Sequence, residues 1–91
     1  MVKISFDSKL IAQLDKIKRK DSRLFELIQL KINLFSENPN HVTLRRHKLK
    51  GELDSYWSIS INRSLRMVCM VIKDEFYFFD LGTYDQVYRN K

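Results

Sequence analysis

The sequence has few of the residues that cross-link or interrupt a chain: among 91 residues there are one Cys, one Pro and two Gly. The single Cys69 lies within an apolar segment and cannot form an internal disulfide, so we expect it to be a small buried side chain. No apolar run approaches the roughly 20 residues of a membrane-spanning helix, and the first residues do not read as a signal peptide. The sequence therefore predicts a cytoplasmic protein without a membrane segment.

The chain also has few residues arranged for metal or nucleotide binding. Its two histidines, His41 and His47, have no Cys or acidic partner at a metal-ligand spacing. Gly51 and Gly82 stand alone, which excludes a glycine-rich phosphate loop. The apolar neighbours of Cys69 would raise the pKa of its thiol, which argues against a Cys-His nucleophile pair. We expect neither a metal site nor a cofactor.

Positive charge is abundant and unevenly distributed. Residues 1–50 hold 12 Lys/Arg against 5 Asp/Glu, a net charge of +7, whereas residues 51–91 hold 5 against 6, a net charge of −1. The total of +6 favours an anionic partner such as nucleic acid or an acidic protein segment. Ordinary solubility charge is the alternative explanation.

Hydrophobic periodicity predicts a single α+β domain over residues 1–91, with the order β-α-α-β-β-β-β. Period-2 alternation predicts a first strand over residues 2–6. Asp7 and Ser8 are suitable N-cap residues, and the helical spacing that follows them predicts a first helix over residues 8–19. A second helix begins after Asp21 and is stopped before Pro39. The remaining strands are expected at residues 43–49, 56–61, 65–72 and 75–81. The sheet is then mostly antiparallel, with both helices packed on one face in two layers.

One arginine stands out because it lies near the start of the apolar run from Leu65 to Ile72. Burying the Arg66 guanidinium without a partner would cost several kcal/mol, so it needs an anion or a cleft. If Ser58 and Ser60 point away from the helices, strand pairing brings Arg66 to the same face. An ion pair of Arg66 with an acidic side chain, Asp80 or Asp85, is the structural alternative.

Several side chains near this face are suited to cleaving RNA without a metal. Such cleavage needs a group that activates the 2′-hydroxyl, cations that stabilise the phosphorane, and an acid that protonates the departing 5′-oxygen. By residue type, candidates for these tasks are His47, Lys48, Lys50, Arg66, Tyr84 and Tyr88. Tyrosines and lysines near a sheet also serve packing and solvation, so residue type alone does not decide.

A sequence of motifs gives this region a family resemblance. The order is HKLKGEL, then YWSISI, then LRMVCMV, a D-E hairpin, and finally FDLGTYDQVY. Over about residues 44–89 it resembles the RelE/ParE toxin superfamily, in particular its RelE, YafQ and YoeB-like messenger-RNA endonucleases. The resemblance implies a RelE-like fold and the toxin of a type II toxin–antitoxin system. It further implies metal-independent cleavage of messenger RNA in the 30S A site, and a hetero-oligomer with a cognate antitoxin.

The resemblance also implies roles for individual residues. Arg66 matches the arginine that contacts the scissile phosphate, and His47 matches a general base or substrate-positioning group. Tyr84 lies where relatives have a general-acid histidine, and Tyr88 matches an aromatic residue near the chain end. Phosphate-binding positions are expected at the basic residues Arg45, Arg46, Lys48, Lys50 and Arg63.

The tyrosine at position 84 is a departure from the family pattern. Histidine side chains titrate near neutrality and tyrosine side chains near pH 10, so a tyrosine gives up its proton less readily. Tyr84 acts with help from neighbouring cations, or Tyr88 or His47 takes the acid role, or the enzyme is slow. Two other functions stay open: a ParE-like inhibitor of DNA gyrase, and a catalytically inactive module that binds RNA or antitoxin.

Overall fold

A computed structural model describes residues 2–48 and 56–89, with the side chains of residues 88 and 89 left out. Its elements are β1 (Lys3–Phe6), α1 (Ser8–Lys20), α2 (Ser22–Glu37), a 3₁₀ helix (Val42–Leu44), β2 (His47–Lys48), β3 (Tyr56–Ser60), β4 (Leu65–Ile72), β5 (Glu75–Thr83) and α3 (Tyr84–Arg89). The five strands form one sheet in the order β1-β5-β4-β3-β2. β1 is parallel to β5, and the other neighbours are antiparallel. The predicted α+β class and its element order are confirmed, with α3 as an addition.

Both long helices begin at the aspartates that the sequence pattern indicates. The Asp7 carboxylate accepts a hydrogen bond from the Lys9 backbone N–H at 3.0 Å, and the Asp21 carboxylate accepts one from Leu24 N–H at 3.1 Å. Each satisfies an N–H that would otherwise lack a partner in the first turn. The helices pack on one face of the sheet.

The core lies between these helices and the sheet. Fully buried side chains come from α1, α2 and the inner faces of β3, β4 and β5: Leu10, Ile28, Phe35, Ile59, Met67, Cys69 and Phe78. The ring of Phe35 meets those of Phe76 and Phe78 edge to face, with centroids 4.9 and 5.3 Å apart. Such aromatic pairs contribute packing energy beyond the area that they bury. None of the helices in the described part of the chain is long and apolar enough to cross a membrane.

The predicted strand at residues 43–49 is wrong over its first part. Val42–Leu44 forms a 3₁₀ helix, capped by the His41 ring, whose Nδ1 accepts from Thr43 N–H at 3.2 Å. Arg45 then adopts a left-handed conformation with φ of 45°, which ends the helix and turns the chain. Only His47–Lys48 pairs as a strand, and Leu49 and the predicted turn at Gly51 lie outside the described residues.

Two features of the last strands were not predicted. A register shift between Val68 and Cys69 places a β-bulge in the pairing of β4 with β5, and such bulges bend a strand and strengthen its twist. Beyond β5, the chain forms α3, and Val87 of this helix is fully buried against Val68. The sheet face opposite α1 and α2 is therefore partly covered by a helix, and is not helix-free as the sequence suggested.

Candidate functional site: an arginine-lined pocket on the outer sheet face

An open pocket with a volume of about 510 Å³ lies on the sheet face opposite α1 and α2, at the end where β3, β4 and α3 meet. The described residues that line it are three arginines, one tyrosine and two small polar residues: Arg45, Arg63, Arg66, Tyr84, Ser60 and Asn62. Six side chains from four separate segments converge here, and none of the six is acidic. The pocket therefore has the charge and size to accept an anionic group.

Arg66 forms the floor of this pocket and is held by neutral oxygens. It is 8% exposed and lies on β4, the central strand, with Ser60 and Gly82 as its neighbours across β3 and β5. Nε donates to the Ser58 hydroxyl at 2.9 Å, and Nη2 donates to the backbone carbonyls of Arg45 and Ser58 at 2.7 and 3.2 Å. These partners, rather than Asp80 or Asp85, hold the guanidinium, so its positive charge is not matched by a carboxylate among the described residues.

Tyr84 is placed at the pocket by the start of α3. The helix begins with a capping box: the Thr83 N–H donates to Gln86 Oε1 at 2.8 Å, and the Gln86 N–H donates to the Thr83 hydroxyl at 3.2 Å. The helix also approaches β5 closely because position 82 is a glycine, where a Cβ would lie 2.8 Å from Gln86 Oε1. As the first residue of α3, Tyr84 is 58% exposed and faces the pocket.

His47 lies on the same sheet face but outside the lining residues. It pairs with Ser58 across β2 and β3, and directly opposite residues of antiparallel strands project to the same side, with Cβ atoms about 5 Å apart. Ser58 in turn holds Arg66. The exposed His47 side chain is thus one strand away from the guanidinium.

The basic segment at residues 45–48 is divided between the two faces of the sheet. Arg46 and Lys48 lie over the ring of Trp57, with the Arg46 Cζ at 4.5 Å and the Lys48 Nζ at 6.0 Å from its centroid. Trp57 packs against the helix-side core, so these two cations belong to the face opposite the pocket. Arg45 alone of the two consecutive arginines reaches the pocket, because its left-handed conformation separates it from Arg46.

Two other candidates cannot be placed beside Arg66. Lys50 lies outside the described residues. Tyr88 falls within α3, but its side chain is not among those described. Arg63, in the turn between β3 and β4, does line the pocket. The structure thus brings together four of the candidate residues, Arg45, Arg63, Arg66 and Tyr84.

Three polar residues at this site were not among the site residues predicted from the sequence, although Ser58 and Ser60 were expected on this face. Ser58 holds Arg66, and Ser60 and Asn62 line the pocket. The Asn62 carboxamide oxygen accepts from the backbone N–H groups of Ser64 and Leu65, both at 2.8 Å, which fixes the turn. The alternation of β3 already placed both serines on the polar face, and that was the available signal.

The described residues offer little to a metal or a nucleophilic thiol. No group of three or more His, Cys, Asp or Glu side chains within them is arranged to hold a metal ion. Cys69 is fully buried in the core, and this burial raises the pKa of its thiol to about 12. Within the described residues, the arginine-lined pocket is therefore the candidate for a chemical role.

Comparison with solved structures places this fold among those of bacterial toxins. No protein-family model and no curated protein sequence matches the chain. The YoeB/ParE toxin from Agrobacterium tumefaciens matches with a TM-score of 0.76 and 21% identity, covering 91% of this chain and 99% of that one. The class that the fold defines is thus the α+β fold of YoeB- and ParE-type toxins.

Two further structures support the same fold. The YoeB–YefM complex from Staphylococcus aureus matches with a TM-score of 0.74 and 18% identity, covering 92% of this chain and 98% of that chain. YafQ from E. coli strain BL21(DE3) matches with a TM-score of 0.72 and 13% identity, covering 97% and 99% of the two chains. The RelE-like fold implied by the sequence resemblance is confirmed.

Proposed function

We propose that this protein is the toxin of a type II toxin–antitoxin system and that it cleaves messenger RNA on the ribosome without a metal ion. The observation that carries the proposal is the pocket in which Arg45, Arg63 and Tyr84 converge around the buried guanidinium of Arg66. Cleavage through the 2′-hydroxyl passes through a crowded, doubly charged phosphorane, and positioned cations stabilise charge as it develops. The fold shared with YoeB- and YafQ-type toxins supports the same class of activity.

The proposed reaction assigns one task to each group. The 2′-hydroxyl attacks the adjacent phosphorus, the bond from phosphorus to the 5′-oxygen breaks, and a 2′,3′-cyclic phosphate and a 5′-hydroxyl result. His47, on the pocket face, accepts the proton from the 2′-hydroxyl, and Tyr84 gives a proton to the departing 5′-oxygen. Arg66 binds the scissile phosphate, with Arg45 and Arg63 contributing charge from the rim.

The proposed partner is an antitoxin that neutralises the toxin by direct binding. The S. aureus structure that shares this fold is a complex of YoeB with YefM. The net charge of +6 on this chain would be complemented by an acidic segment of the antitoxin, in the same way that it would be complemented by the phosphates of RNA. The cytoplasm is the compartment proposed for this chain and for its encounter with both partners.

The decisive experiment adds the purified protein to messages that are being translated, with Mg²⁺ present for the ribosome, and determines the end groups of the fragments. Wild-type protein is expected to produce fragments that end in a 2′,3′-cyclic or 3′-phosphate. Arg66→Ala should lower kcat by about 100- to 1,000-fold, the usual cost of removing one donor to a developing charge. The control is Arg23→Ala, which removes the same charge from the exposed surface of α2. Full activity of Arg66→Ala would refute the role of this arginine.

Induction of the protein in bacterial cells separates the two alternative functions. A gyrase inhibitor would leave plasmid DNA relaxed and messages intact, and Arg66→Ala would not relieve its toxicity. An inactive binding module would show tight, salt-sensitive RNA binding without cleavage products. Either result would exclude the endonuclease.

A further inference from the structure

The hydrogen bonds of Arg66 are distributed unequally over its three nitrogens. Nε and Nη2 donate to the Ser58 hydroxyl and to the carbonyls of Ser58 and Arg45. These three bonds use the Nε–H and the N–H groups of Nη2, and Nη1 has no hydrogen-bond partner among the described residues. No side-chain nitrogen or oxygen that is fully buried within them lacks a hydrogen bond. Nη1 must therefore be accessible, and the accessible space beside Arg66 is the pocket.

Ser58 supplies two of these three bonds. Its side chain is 0% exposed, although it belongs to the polar face of β3. The two oxygens of this one residue, hydroxyl and carbonyl, accept from adjacent nitrogens of the guanidinium. Two bonds to a single rigid strand residue fix both the position and the rotation of the guanidinium plane.

The third bond depends on the backbone before β2. The Arg45 carbonyl reaches Nη2 at 2.7 Å from a residue in the left-handed region, with φ of 45°. Non-glycine residues rarely adopt this conformation, and it persists where surrounding contacts impose it. The capped 3₁₀ helix before Arg45 and the hydrogen bond from Arg66 to the Arg45 carbonyl are such contacts.

We propose that Ser58 is a positioning residue that, together with the Arg45 carbonyl, turns Arg66 so that its Nη1 edge alone binds a phosphate in the pocket. The anion is then bound through the N–H groups of Nη1, and not by the fork formed by Nε and Nη2. Because the partners of Arg66 are neutral, an incoming phosphate does not have to displace a carboxylate. That the phosphate belongs to RNA rests on the proposed function.

The test of positioning is a double-mutant cycle on RNA cleavage. Ser58→Ala removes the acceptor of Nε, and a misplacement of about 1 Å in a catalytic group costs on the order of 100-fold in rate. We expect kcat to fall by about 10- to 100-fold with KM little changed. In an Arg66→Ala background, adding Ser58→Ala should lower kcat by less than about 2-fold, because Ser58 acts through the guanidinium that is already absent. Equal losses in both backgrounds would overturn the proposal.

The matched control is Ser5→Ala on β1, at the opposite edge of the sheet. The Ser5 hydroxyl donates a side-chain hydrogen bond to Glu75 Oε2 at 3.0 Å, far from the pocket. Cleavage by Ser5→Ala should stay within about 2-fold of wild type. If Ser5→Ala and Ser58→Ala lose activity in parallel with their unfolding temperatures, the effect of Ser58 is on stability and the proposal fails.

A second measurement does not depend on cleavage, or on the folding of any variant. In ¹⁵N NMR spectra of the wild-type protein, the Nε–H of Arg66 should exchange slowly with water because it is bonded to a buried hydroxyl. Titration with inorganic phosphate should shift the Nη1 resonances and leave the Nε–H bond to Ser58 intact. If phosphate instead breaks that bond and takes Nε, binding uses the fork and the proposal is wrong. If phosphate produces the expected shifts but the protein does not cleave RNA, the proposed function is refuted and the positioning proposal stands.

Discussion

Replacing Gly82 by alanine should loosen α3 from the sheet and move Tyr84 away from the pocket. A Cβ at this position would lie 2.8 Å from Gln86 Oε1, 3.2 Å from Gln86 Cβ and 3.5 Å from Val87 Cγ1. The first distance is too short for any Cβ, so the Gln86 carboxamide must move. Any such movement also disturbs the hydrogen bond that this oxygen accepts from the Thr83 N–H at 2.8 Å in the capping box.

The magnitude follows from these contacts. Losing a helix cap costs about 0.5–2 kcal/mol, and the 3.2 Å contact with a helix Cβ adds a smaller packing cost. We expect a loss of about 1–2 kcal/mol in the free energy of unfolding. For a domain of this size each kcal/mol lowers the unfolding temperature by about 4–8 °C. Circular dichroism during heating and during urea titration would measure both quantities.

A double variant tests whether the clash with Gln86 is the cause. Gln86→Ala removes the cap, and it also removes the Oε1 atom with which the new Cβ would clash. Gly82→Ala should therefore cost clearly less in the Gln86→Ala background than in the wild type. RNA cleavage by Gly82→Ala should fall with the displacement of Tyr84. Unchanged stability, or full additivity of the two substitutions, would refute this account of how α3 is held.

Three further predictions concern the fold. The hydrogen bond from the Tyr77 hydroxyl to Asp7 Oδ1, at 2.6 Å, lowers the pKa of Asp7 and raises the pKa of Tyr77. The Asp7 contribution to stability is present above its ordinary pKa and is lost as pH falls through the lowered pKa. The Tyr77 contribution is present below its ordinary pKa and is lost as pH rises through the raised pKa. Tyr77→Phe should therefore destabilise most between about pH 5 and pH 9, and a pH-independent difference in urea midpoints would contradict this. Phe35→Ala should cost about 3–5 kcal/mol, because a fully buried ring is lost; a loss below 1 kcal/mol in urea titration would show that the core refills. Cys69, whose pKa burial raises to about 12, should react with a thiol reagent at pH 8 only at the rate of unfolding; rapid labelling of the native protein would contradict its burial.

The parts of the fold that the sequence predicted are those set by local signals. Asp7 and Asp21 were expected to cap helices, and both do so through their carboxylates. The strand at Leu65–Ile72 was predicted with the observed bounds, because a continuous apolar run is typical of a strand covered on both faces. Its position at the centre of the sheet agrees with that burial.

The parts that were missed depend on contacts made between distant segments. The region of Val42–Leu44 contains strand-forming residues, and the 3₁₀ helix there depends on a cap from His41 and a left-handed Arg45. A helix of six residues such as α3 is marginal alone, so burial of Val87 against Val68 has to stabilise it. Neither contact is visible in a local pattern.

The sequence predicted which residues share a face at the candidate site better than it predicted how they are arranged. The expectation that Arg66 shares a face with Ser58 and Ser60 followed from strand alternation, and the pairing of Arg66 with Ser60 agrees with it. The division of the basic segment did not follow, because it depends on the turn at Arg45. That turn sends Arg46 to Trp57 and leaves Arg45 at the pocket.

The neutral partners of Arg66 explain how a buried cation can serve binding rather than structure. At about 4 Å and an effective dielectric constant of 20, a carboxylate would attract the guanidinium by about 4 kcal/mol, and a phosphate would have to compete with it. Hydroxyl and carbonyl oxygens orient the cation without neutralising it, so the remaining cost of burying its charge is relieved when an anion enters. Replacing Ser58 by Asp should therefore weaken RNA binding even though it adds a partner for Arg66. Binding of an uncleavable RNA with 2′-methoxy groups should fall about 10-fold or more and lose part of its salt dependence, whereas unchanged affinity would show that the charge of Arg66 is not what the pocket offers.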